Sequence, residues 1–162
     1  MSTLEVKGIQ APTGHKLAMP AGHILQVVNF RSTAANTTTT STTFQNAGVA
    51  ATITPSSANS KIWVMVSLNG LHKDGVDTSM GTRLVRGSTE LSQIDGIAIH
   101  TGTTAVSGAG ISMNYLDSPN TTSATEYKIE FRSVTGGQVY IQTRYNSSHT
   151  THSTITLMEV AG

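Results

Sequence analysis

The chain has 162 residues, a formal net charge of +1, 12% charged residues and no cysteine. That length is enough for one domain with its own core, and the lack of cysteine excludes disulfides and thiolate metal sites. So few charges and aromatics exclude a basic nucleic-acid surface, and no apolar run approaches the roughly 20 residues of a membrane-spanning helix.

Serine and threonine make up about a quarter of the chain, well above ordinary usage. Threonine favours strands and serine favours turns, so the composition points to a β-protein hydrated by hydroxyls more than by charges. The amino terminus, Met1-Ser-Thr-Leu-Glu5, has neither the basic nor the apolar region of a secretory signal. Synthesis in a cytoplasm is therefore expected.

In chain order, residues 1–22 carry only the scattered apolar points Leu4, Val6 and Ile9, with Pro12, Gly14, Pro20 and Gly22 breaking any regular element. They are expected to form an extended docking arm, and residues 23–162 the folded domain. A first strand is predicted at Ile24–Arg31, where Ile24, Val28 and Phe30 alternate with Leu25 and Val27. Residues 32–43, with the threonine run Thr37 to Thr40, read as a loop. A second strand runs from about Phe44 to Thr54 and is weakened by Ala47-Gly48.

The third predicted strand organises the rest. After the turn cluster Pro55-Ser-Ser-Ala-Asn-Ser60, the side chains of Ile62, Val64, Val66 and Leu68 fall on one face, and those of Lys61, Trp63, Met65 and Ser67 on the other. One face is a core face. The other carries Trp63 and Met65, which marks it as a candidate subunit interface.

Leu71 to Met80 reads as a loop, and its His72, Lys73, Asp74 and Asp77 are candidate surface contacts. A hairpin follows, from Thr82 to Ile94 with a turn at Arg86-Gly87-Ser88. Thr101 to Gly110 reads as a long loop. Ile111, Met113 and Tyr115 mark a further strand, Asp117-Ser-Pro-Asn120 a turn, and Tyr127, Ile129 and Phe131 a half-buried strand. Gly136-Gly137 reads as a hairpin turn before Val139, Ile141 and Tyr145, and a last strand covers Thr154 to Val160. About eight strands without a helix predict an all-β, antiparallel, two-sheet β-sandwich of jelly-roll type with an extended N-terminal arm.

Catalytic motifs are missing. There is no GxGxxG, P-loop or HExxH pattern, so neither an enzyme nor a bound cofactor is expected. Asp74 and Asp77 have the oxygen chemistry for Ca²⁺, but a polar turn is the simpler reading. His149 and His152 form an H-x-x-H spacing. On a strand it points the rings to opposite faces, so a solvated pair is the simpler reading, and His149 joins the candidate surface contacts.

Several stretches carry a resemblance. They are Met1-Ser-Thr-Leu4 with Ile9-Gln10 and Pro12-Thr-Gly14, then Ile53-Thr-Pro-Ser-Ser57 followed by Ser60-Lys-Ile62. Further along come Leu84-Val-Arg-Gly-Ser-Thr89, Tyr115-Leu-Asp-Ser-Pro119 with Thr125-Glu-Tyr-Lys128, and Ser153 to Gly162. In this order and spacing the chain resembles the short structural proteins of tailed bacteriophages, notably those of marine bacteria and cyanobacteria. The resemblance implies a virion component, a small β-sandwich forming a homotrimer in a fibre or fibre tip. A head decoration protein is the alternative, and a free carbohydrate-binding module is an alternative from another class. The expected partners are sister subunits, other virion proteins through the arm, and a host-surface glycan.

Overall fold

The computed structural model describes residues 13, 19–33, 37–97, 107–143 and 151–162. Ten strands run through them: β1 (Ile24–Arg31), β2 (Thr37–Thr39), β3 (Gln45–Ile53), β4 (Lys61–Lys73), β5 (Met80–Arg86), β6 (Thr89–Ile97), β7 (Ser107–Asp117), β8 (Thr125–Ser133), β9 (Val139–Ile141) and β10 (Thr154–Val160). The described residues contain no helix.

The eight longer strands pair as a nested series, β1 with β10, β3 with β8, β4 with β7 and β5 with β6, all antiparallel. This folded ribbon wraps into two sheets. The first has the order β1-β10-β4-β7, and the second β3-β8-β5-β6. Such nesting is jelly-roll topology, as the strand-dense sequence predicted. The three-residue strands β2 and β9 extend the first sheet beside the far end of β4.

Alternation sets the core. Ile62, Val64, Val66 and Leu68 of β4 and Ile155 and Leu157 of β10 face Leu84, Tyr127, Ile129 and Phe131 of the second sheet, and all are buried. Each large aliphatic side chain removed from water in this way contributes about 1.5–3 kcal/mol. Two buried carboxylates hold one end of the sandwich. In one inward-facing row, Gln26, Glu159, Ile62 and Asp117 follow one another across β1, β10, β4 and β7. Glu159 accepts hydrogen bonds from the Ser56 amide and hydroxyl, both at 2.7 Å, and from Gln26 Nε2 at 2.6 Å, which pins the β3–β4 loop. Asp117 receives Arg86 from β5 and the Tyr127 hydroxyl from β8, so it joins the two sheets.

Several expected loops differ. Thr37 to Thr39, expected in a loop, form β2, because β9 offers their backbone a ladder partner. Ser107 to Gly110 belong to β7, and Leu71 to Lys73 to β4, so each expected loop is shorter. Gly136-Gly137 does not close a hairpin. The strands on either side, β8 and β9, belong to different sheets, and the glycines carry the chain across the end of the sandwich. The predicted Ala47-Gly48 weak point is a β-bulge between Asn46 and Val49, with Gly48 at a φ of 70°.

Candidate functional site

The two outer faces of the sandwich differ in chemistry. On the second sheet, Arg83 pairs with Glu130 at 2.7 Å and with Glu90 at 3.2 Å, Lys128 pairs with Glu130, and Arg132 pairs with Asp95. The Arg83 guanidinium also lies 4.2 Å from the centre of the Phe44 ring. This is a balanced, hydrated charge network.

The first sheet turns the opposite character outward. Strand register places Val27 of β1, Met158 of β10, Trp63 of β4 and Leu116 of β7 in one cross-strand row. Val27 is 55% exposed, Leu116 44% and Trp63 39%. The next row holds Asn29, Thr156, Met65 and Asn114, with Met65 42% exposed, and the row after it Arg31, Thr154, Ser67 and Ser112. Between these two rows lies a shallow trough of about 320 Å³, floored by short hydroxyl and amide side chains. These three rows carry no carboxylate, and Lys61 and Arg31 stand at their two ends.

The other predicted contacts lie elsewhere. A β-bulge between Leu68 and Leu71 inserts one residue, so Leu71 and Lys73 turn to the core side and His72 to the outer side. His72 and Lys73 were expected on an exposed loop; both are buried instead, because they continue β4. Lys73 donates to the Gly75 carbonyl at 2.8 Å. The His72 ring stacks on Tyr140, with centroids 4.3 Å apart. Its pKa is lowered by burial, against an opposing pull from Asp74. Asp74 is half-buried and accepts the Tyr140 hydroxyl at 3.0 Å. Asp77 is exposed, in a turn at a φ of 48°, with its carbonyl accepting the Thr135 hydroxyl. His149 lies outside the described residues, and the His152 ring meets the Ser32 carbonyl at 2.8 Å.

No protein-family model and no curated protein matches this chain. Its function is therefore read from the geometry. Among the described residues no three His, Asp or Glu side chains gather as a metal site. The buried titratable groups are already engaged in holding the fold. Tyr127 is pushed well above its usual range by burial and by the Asp117 carboxylate it donates to. Burial alone would raise the pKa of Glu159, but hydrogen bonds from Ser56 and Gln26 hold it below the usual carboxylate range.

Trp63 and Met65 are the two sequence-derived site residues that share a face and stand exposed together. Sequence reasoning missed Val27, Leu116 and Met158 as their neighbours. The signal was present in each strand as an apolar residue on the parity that the core does not use: Leu116 beside Tyr115, and Met158 beside Leu157. Which of these residues share a row is fixed by strand register, which lies beyond the local pattern.

Proposed function

We propose that this chain is a structural protein of a tailed-bacteriophage virion, made in the host cytoplasm and assembled as a homotrimer in a fibre or fibre tip. One observation carries the self-association: the exposed apolar row from Val27 to Leu116, with no carboxylate in it or in the two rows beside it, opposite a face laced with ion pairs. Contiguous exposed apolar surface of this kind is characteristic of protein contact sites. The virion assignment is supported by the resemblance carried by the quoted motifs. In this role the protein is non-enzymatic and residues 1–22 dock it to the particle. A head decoration protein would use the same face and the same arm.

Sedimentation at micromolar concentration tests the assembly. Three times the 17.0 kDa subunit mass is expected, and a stable monomer overturns the reading. Antibody labelling of intact particles tests the virion assignment and separates tail from head, and unlabelled particles overturn it.

A carbohydrate-binding module is the second reading, favoured by the hydroxyl- and amide-lined trough beside Trp63. A monomer that binds immobilised polysaccharide, and loses binding on Trp63→Ala, would select it over the trimer.

A further inference from the structure

We draw no further inference here: the strongest candidate, the apolar row on the outer face of the first sheet with Val27, Trp63 and Leu116 exposed beside the hydroxyl- and amide-lined trough, carries nothing beyond the reading already given, because nothing in the structure shows what covers it.

Discussion

Trp63 and Leu116 stand directly opposite one another on β4 and β7, on the side of the sheet facing away from the core, and both are exposed. Trp63 is the single tryptophan of the chain, so its fluorescence reports on this face alone. Packed in a subunit interface, the indole emits at shorter wavelength and is shielded from iodide. Dilution from micromolar to low nanomolar concentration is expected to shift the emission to the red and to raise quenching, together with the loss of the oligomer in sedimentation. Emission that is already red and fully quenched at micromolar concentration would count against a buried Trp63.

Much of the fold was legible because alternation with period 2 survives wherever one face is buried. Ile62 to Leu68, Tyr127 to Phe131 and the last strand stand where the pattern put them. The pattern failed beyond Gly70, where a loop was expected from Leu71. A bulge between Leu68 and Leu71 lies inside a continuing strand, and the extra residue reverses the parity of everything beyond it. Lys73 therefore turned to the core side, and His72, turned outward, is buried in its stack with Tyr140. An alanine replacement of His72, Lys73 and Asp74 together would accordingly probe stability more than adhesion. The exposed apolar row was half legible. Trp63 and Met65 announced it, but Val27, Met158 and Leu116 come from three other strands, and long-range register brings them alongside.

Acid should weaken the fold in two stages. The His72 pKa is depressed by burial, so the unfolded chain binds its proton first. Stability from this group is complete above the unfolded value near about 6.5 and declines as the pH falls below it. The Glu159 pKa is also depressed, so its contribution is present above the unfolded carboxylate value near about 4.3 and is lost as the pH drops through the folded value. Glu130, held down by Arg83 and Lys128 against its own burial, acts in the same direction. Urea midpoints measured from pH 8 to pH 3 should fall with pH. Glu159→Gln should flatten the acid limb while lowering stability at pH 7 by about 2 kcal/mol, the scale of a hydrogen-bonded buried charge. An unchanged acid limb in that variant would remove Glu159 from the account.

The Asp117 carboxylate ties the two sheets together through Arg86 and Tyr127. Asp117→Ala leaves the buried Tyr127 hydroxyl without its acceptor and Arg86 without its partner. Since the Arg86 side chain keeps 27% of its surface in water, the ionic part is screened, and the expected loss is about 2–3 kcal/mol. Tyr127→Phe removes only one donor and should lower stability by about 1 kcal/mol. The double variant should lose less than the sum of the two, which denaturant unfolding of all four proteins would measure as a coupling energy. Additive losses would mean that the Tyr127–Asp117 bond contributes nothing of its own.

Gly70 is the hinge of the bulge, and a side chain there has nowhere to go. Its φ is 63°, a left-handed conformation that costs a residue with a Cβ about 1–2 kcal/mol by itself. An added Cβ would also overlap the Thr151 hydroxyl and lie 2.5 Å from the Thr143 carbonyl oxygen and 2.7 Å from its amide nitrogen. Two of those atoms are backbone, held where Gln142 N–H meets the Asn69 carbonyl and Thr143 N–H the Gly70 carbonyl, so the neighbours cannot swing aside as a flexible side chain would. Gly87 supplies the control: its φ of 57° is nearly the same, but a Cβ there meets nothing within 4 Å. Gly87→Ala should therefore lose only the conformational part, about 1 kcal/mol. Gly70→Ala should lose at least about 2 kcal/mol more, because it forces the backbone of β4 away from the 142–143 segment. Thermal unfolding of the two variants side by side makes the comparison. Equal losses would show that the bulge has room to relax and that the packing around His72 does not depend on it.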